Sequence, residues 1–490
     1  MKSYISIDQG TTSSRSIIFR ADGKILSIHQ KEFRQFFPND GWVEHDPEEI
    51  WNTTKNVVSK SIDDGIKNNW NLCAIGITNQ RETIVIWDKV TGKPVYNAIV
   101  WQDRRTADLC DDLKKNNYET FVSDKTGLLL DPYFSATKIK WLLDNVENLR
   151  KKATNGKLLC GTIDSFLIWR LTGGQSHYTD ATNAARTSLY NIHDNVWDEE
   201  LLKLFNIPLN IMPKVLNSAD NFGICNFDNK ITLPILSSIG DQQSAAIGQA
   251  CLSSGSIKST YGTGCFVILN TGKNIIKSKN RLLSTICYKI NNETTYALEG
   301  SIFIAGAVVQ WLRDNMKFIT KASETENISS KMLGNNGIYL VPAFTGLGAP
   351  WWDPNARGSI FGIKRETSPN DIIRASLESV AYQTNDLFNA MEKDGIKPNL
   401  LNVDGGMSEN NWLMQFLANI LNINVQRPKI LETTALGASM LAALMDGHFS
   451  NLSEISNNWS LDRTFTPNIE NKKRKELLYN WNLAVNKTIS

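Results

Sequence analysis

Tyr4-Ile5-Ser6-Ile7-Asp8-Gln9-Gly10-Thr11-Thr12-Ser13-Ser14-Arg15-Ser16-Ile17-Ile18-Phe19 is the stretch on which the fold of this chain turns. Tyr4 to Asp8 alternates apolar and polar residues as a half-buried strand does, Gln9 to Ser14 is turn chemistry, and Ser16 to Phe19 is apolar again. Asp22-Gly23 then introduces a third strand ending near His29, so the chain opens as a β-meander. The first turn offers backbone amides, four hydroxyls, the Arg15 guanidinium and the Asp8 carboxylate at the end of a strand. That is the equipment of a phosphate-facing loop. An ordinary polar hairpin has the same composition, and the residues alone leave both readings open.

The design returns near the middle of the chain. Ser259 to Tyr261 reads as a strand, Gly262-Thr263-Gly264 as a turn and Phe266 to Leu269 as a second strand, which suggests two related lobes divided near residues 246–254. Further on, Ser368-Pro369-Asn370-Asp371 is a capping box with proline in the first turn. It predicts a long amphipathic helix through Met391 that stops by Gly395. Leu401 to Val403 then reads as a strand, Asp404-Gly405-Gly406 as a tight turn and Asn411 to Leu421 as a helix. A glycine pair at such a strand-to-helix junction lets a ligand approach the backbone. Three polar clusters follow apolar strands: Asn79 to Glu82, Trp101 to Arg105, and Gly240 to Gln243. Strand ends are where α/β proteins place ligands, although salt-bridged loops and, for Asp241, a helix N-cap are the ordinary alternatives. Neither a Walker A sequence nor Gly-x-Gly-x-x-Gly after the first strand is present.

Composition sets the frame. With 41% hydrophobic and 21% charged residues over a length of 490, the chain can bury a large core, which excludes wholesale disorder. Lys plus Arg total 52 against 50 Asp plus Glu, so the near-neutral balance gives no footprint for nucleic acid or an anionic membrane. The seven cysteines form no CxxC pair, which argues against a disulfide framework or zinc knuckle and for a reducing compartment. No signal-like start and no long uncharged apolar stretch occurs, so a cytoplasmic protein without membrane insertion is expected.

Nine segments, in this order, carry a family resemblance: DQGTTSSR (8–15), GWVEHDPEEIW (41–51), GITNQRET (76–83), YNAIVWQDRRT (96–106), DPYFSATK (131–138), GDQQSA (240–245), TYGTGCF (260–266), PAFTGLGAPWWDP (342–354) and DGG (404–406). Together they resemble the FGGY carbohydrate kinase family, of the actin and hexokinase fold group, and within it the members that act on glycerol. The resemblance covers essentially the whole chain. It implies an α/β fold of two ribonuclease-H-like lobes, each a mixed sheet flanked by helices, with the active site in the cleft between them. Residues 1–249 would carry the polyol site and first phosphate hairpin, and residues 250–490 the second hairpin and the adenosine site.

The same resemblance implies ATP-dependent phosphorylation of glycerol to sn-glycerol 3-phosphate in glycerol catabolism, with Mg²⁺, by a homodimer or homotetramer. By matching positions, Arg81, Glu82, Tyr133, Asp241 and Gln242 would bind the polyol hydroxyls, with Trp101 and Phe266 walling its carbons. Thr11, Thr12, Ser13, Arg15, Thr263, Gly306, Gln310, Gly406 and Asn410 would contact the nucleotide. Asp241 would be the general base, and Asp8 and Asp241 would serve the metal. Gly306 and Gln310 rest on the resemblance alone, because Phe303 to Leu312 reads by itself as plain helical core. A relative acting on a larger polyol or ketose, or an actin-like nucleotide-driven binding protein lacking a polyol pocket, are the competing expectations.

Overall fold

A computed structural model describes residues 1–489. The opening alternation forms the expected meander of β1 (Lys2–Gln9), β2 (Ser13–Arg20) and β3 (Ile25–Glu32), with Asp8 opposite Arg15 and Gln9 opposite Ser14. Its apolar residues Tyr4, Ile5, Ile7, Ile17, Ile18 and Phe19 are all fully buried. Helix α1 (Pro47–Lys67) covers one face through Ile50, Val57, Val58 and Ile62. It begins where Asp46 accepts the Glu48 N–H at 2.9 Å, with Pro47 in the first turn.

β4 (Asn71–Asn79) joins β1 in parallel, followed by β5 (Ala219–Phe227) and β6 (Ile231–Gly240) to give the order β3-β2-β1-β4-β6-β5. β7 (Ile257–Tyr261), β8 (Cys265–Gly272), β9 (Leu283–Ile290), β10 (Glu293–Ile302), β11 (Leu400–Asp404), β12 (Asn424–Pro428) and β13 (Leu461–Phe465) make a second sheet. Its order is β9-β10-β8-β7-β11-β12-β13, with β7, β11 and β12 parallel. The run β10-β8-β7-β11-β12 repeats β3-β2-β1-β4-β6: three antiparallel strands, then two more parallel to the first. The two related α/β lobes expected from the paired hairpins are therefore present in the topology.

Helices α2 (Asp241–Gly248), α3 (Gly306–Asp314), α4 (Pro369–Lys393), α5 (Asn411–Leu421) and α6 (Thr433–Met445) complete the frame of the site. α4 starts at its capping box, where the Ser368 N–H donates to Asp371 at 2.8 Å, and it ends just before Gly395 at φ +88°. α5 has the bounds expected from sequence. α3 departs from expectation, because Phe303 to Ala305 lie outside it; the amides of residues 305–307 are drawn to carbonyls of the second hairpin, and the helix opens only at Gly306. α6 comes from the second half of the chain yet packs on β1, β4 and β6 and along α2. The approach is backbone to backbone: a Cβ at Gly437 would lie 1.9 Å from the Ser244 carbonyl oxygen. No helix of the described residues is long and apolar enough to cross a membrane.

Candidate active site

The polyol, nucleotide and metal residues named from the family resemblance all line one of two adjoining cavities, of about 390 Å³ and about 460 Å³, whereas Asn79, Gln80, Asp103, Arg105 and Gln243 of the polar clusters line neither. The first is bounded by both hairpins and by the ends of β4, β6 and β11. The second lies behind the Gly262-Thr263-Gly264 turn, among α3, the Gly406 turn and Asn410.

At one end of the first cavity stand three rings and an ionic network. Trp101 meets Tyr133 and Phe266 edge to face, with centroids 5.7 and 5.8 Å apart. The Trp101 indole N–H donates to the Thr11 hydroxyl at 3.0 Å, which joins this wall to the first hairpin. Arg81 is buried, and its Nε lies 3.1 Å from Asp241 Oδ1. Its Nη1 and Nη2 donate to Glu299 at 2.5 and 3.0 Å. Arg186 donates to Glu82 at 2.7 Å and to Glu299 at 2.8 Å. Two guanidiniums hold the Glu299 carboxyl down at about 2 despite its burial. Glu82 sits at φ +60°, a left-handed conformation that costs a non-glycine residue energy and that the surrounding ion pairs maintain. Asp241 occupies the first position of α2, after Gly240 as N-cap. Burial raises its pKa while Arg81 and Lys258 oppose the rise. Lys258 Nζ donates to Gln242 at 2.6 Å, so Gln242 is oriented from the second sheet.

At the other end lie the hairpin turns. Burial raises Asp8 to about 6, with Arg15 pulling it down and Glu432 and Asp241 pushing it up. Arg15, expected on phosphate, is ion-paired here with Glu432 from the loop before α6, and its Nε has no partner. Asp404 accepts from Gln249 at 2.8 Å and Thr433 at 2.7 Å, while its buried Oδ1 is unpartnered. The lining holds six carboxylates (Asp8, Glu82, Asp241, Asp404, Glu409, Glu432) against the guanidiniums of Arg15 and Arg81. A polyphosphate entering so acidic a lining needs a divalent cation, and a partly buried carboxylate such as Asp8, crowded by Glu432 and Asp241, suits one bound through phosphate oxygens and water. Gly406 has open space on its Cβ side, and Gly405, at φ +83°, passes under Tyr261 with no room for a side chain. Asn410 caps α5 by accepting the Leu413 N–H at 2.9 Å, and its amide donates to Thr325 at 3.3 Å. Gln310 is exposed on α3 at the rim of the second cavity.

Residues 3–248 match the N-terminal domain of the FGGY family of carbohydrate kinases, and residues 257–445 match its C-terminal domain. The chain belongs to this family. It is similar to the glycerol kinase of Alteromonas mediterranea, 55% identical over 98% of this chain and 98% of that one. It is also similar to glycerol kinase 1 of Pseudomonas aeruginosa, 53% identical over 99% of each. Among solved structures, Plasmodium falciparum glycerol kinase with ADP superposes at TM-score 0.91 with 39% identity, covering 100% of this chain and 99% of that one. The xylulose kinase of Lactobacillus acidophilus, at TM-score 0.87 and 23% identity over 99% of this chain and 97% of that one, shares the fold.

Three residues behind the lining of this FGGY kinase's cleft, which hold Arg81, Glu82 and Gln242, escape a reading of the sequence: Arg186, Lys258 and Glu299. All are fully buried. Each did leave a signal, a lone charge inside an apolar or small-residue run such as Tyr296-Ala297-Leu298-Glu299-Gly300. A charge in a buried strand requires a partner.

Proposed function

We propose that this FGGY kinase transfers the γ-phosphoryl group of ATP to a terminal hydroxyl of glycerol, giving sn-glycerol 3-phosphate and ADP. One observation carries the reading: the Trp101, Tyr133 and Phe266 wall stands beside Arg81, Glu82 and Asp241 in the same cavity as both hydroxyl-and-glycine hairpins. A carboxylate accepts from a vicinal hydroxyl and a guanidinium donates to one, while rings fit the carbon chain; an apolar pocket would discriminate weakly. Close similarity to curated glycerol kinases supports it.

Asp241 would take the hydroxyl proton as the oxygen attacks in line, with Arg81 and the Gln242 amide fixing the carboxylate. The Thr11 and Thr263 turns would hold the phosphates, and Arg15 would exchange Glu432 for them. The second cavity, with Gly306, Gln310, Gly406 and Asn410, would take the adenosine. Mg²⁺, held by Asp8 through water and by Asp241, would supply charge neutralisation at the transferring phosphoryl group. Closure of the cleft would exclude water and so limit wasteful hydrolysis. The seven free thiols, six of them buried, suit a reducing compartment such as the cytoplasm.

The test is a substrate panel of glycerol, erythritol, xylulose and ribulose with MgATP, with product identification by NMR. Turnover of glycerol to sn-glycerol 3-phosphate is expected. Good phosphorylation of a pentulose with glycerol untouched would point to the ketose-kinase alternative, and vigorous ATPase activity indifferent to glycerol would point to a nucleotide-driven binding protein.

A further inference from the structure

The segment Asp131 to Lys138 brings Tyr133 into the cavity, and its last residue has no part in the mechanism above. Lys138 lies in the first turns of the helix Ser135–Asn145 and is fully buried. Its ammonium has no ion-pair partner among the described residues; it donates instead to the carbonyls of Pro132, Tyr133 at 2.8 Å and Phe134 at 3.2 Å. Three consecutive buried carbonyls aimed at one point repel one another unless a donor with three hydrogens stands between them, and an ammonium is that donor. Burying a cation without a carboxylate partner costs several kcal/mol. An arrangement that carries this cost fixes a conformation the chain would not otherwise hold.

The conformation it fixes is that of Tyr133. The Tyr133 N–H is held by Asp131 Oδ1 at 2.8 Å, and Asp131 in turn by Arg104 at 2.6 Å. The ring packs on Trp101, Phe134 and Phe303, and the hydroxyl lies 3.4 Å from Arg81 Nη2. We propose that Lys138 is a positioning residue for the polyol: its ammonium clamps the 132–134 turn, and through it sets the Tyr133 ring and hydroxyl, so that affinity for glycerol depends on it while affinity for nucleotide does not. The inference rests on the polyol reading of the cavity. Burial also brings the Lys138 pKa down to about 8, against the pull of Asp103, Glu82, Asp131 and Cys110. The clamp is therefore charged at neutral pH and loosens in alkali.

The experiment compares Lys138→Met, Tyr133→Phe and the double variant with wild type by steady-state kinetics in glycerol and in ATP. Lys138→Met should raise KM for glycerol at least about tenfold and KM for ATP less than about twofold. The double variant should fall short of the combined single effects, because both act through the Tyr133 hydroxyl. Calorimetry should show wild-type glycerol affinity weakening from pH 7 to 9.5, and Lys138→Arg, charged throughout, should remove that dependence. A Lys138→Met enzyme with lowered Tm but unchanged glycerol KM, or strictly additive effects, would reduce Lys138 to a structural plug and overturn the proposal. Should Lys138→Met fail to fold, wild-type affinity that stays flat to pH 9.5 overturns it equally. Wild type that neither binds nor phosphorylates glycerol sinks the polyol reading itself, a different outcome from a variant that keeps its KM.

Discussion

Asp241 is anchored at its Oδ1. Arg81 Nε, at 3.1 Å, and the Gln242 N–H, at 2.7 Å, both engage Oδ1, and the Gln242 side chain also reaches the carboxylate. These contacts hold the carboxylate in place at the cavity wall, where it can take a proton. In Asp241→Asn the anchoring oxygen persists, so the fold should survive, but the amide cannot accept the proton. We expect kcat to fall at least about 10²-fold in a protein that still unfolds cooperatively in urea. Steady-state kinetics decide it, since near-normal kcat with a raised KM would assign Asp241 to binding alone.

At the scale of elements, the second hairpin and the start of α3 behave as one piece. Ala305, Gly306 and Ala307 donate their amides to Thr263, Gly262 and Thr263 carbonyls at 3.0, 2.8 and 3.0 Å. A Cβ on Gly306 would come within 2.5 Å of the Gly262 oxygen, so Gly306→Ala must push the turn out of place. KM for ATP should rise about tenfold while binary glycerol binding stays within about twofold, and the overpacking should lower stability by roughly 1–3 kcal/mol. Gly406→Ala, with nothing within 4 Å of its Cβ, should melt like wild type. Equal effects of the two substitutions on Tm would show that the clash at Gly306 is absorbed without moving the hairpin.

Across the whole molecule, the two sheets meet at the floor of the cleft through charge. Glu299 stands on β10 of the second sheet, and the guanidiniums it holds, Arg81 and Arg186, belong to the first half of the chain. Removing one member of a buried ionic set leaves uncompensated charge. Glu299→Gln should therefore destabilise by about 3–5 kcal/mol, read from urea denaturation. A loss under about 1 kcal/mol would mean that Glu82 and Asp241 neutralise both guanidiniums unaided. The loop before α6 makes a second tie, since Glu432 crosses to Arg15 and α6 itself lies on the first sheet.

What the sequence determined by itself was local. The meander, the repeated hairpin, the capping box of α4 and the bounds of α5 follow from side-chain period and turn chemistry within a few residues, and those are legible in one dimension. The candidate site residues could be gathered into one polyol and nucleotide site only through their resemblance to a family, yet each of them does line one of the two cavities. Tertiary structure alone decided which charges pair. Glu299 meets Arg81 across 218 positions and Glu432 meets Arg15 across 417. It also decided that α3 waits until Gly306 and that α6 crosses to the other sheet. The physical reason is that a buried charge in a strand announces the need for a partner but not its identity. That choice is made through space, by elements the chain brings together only on folding.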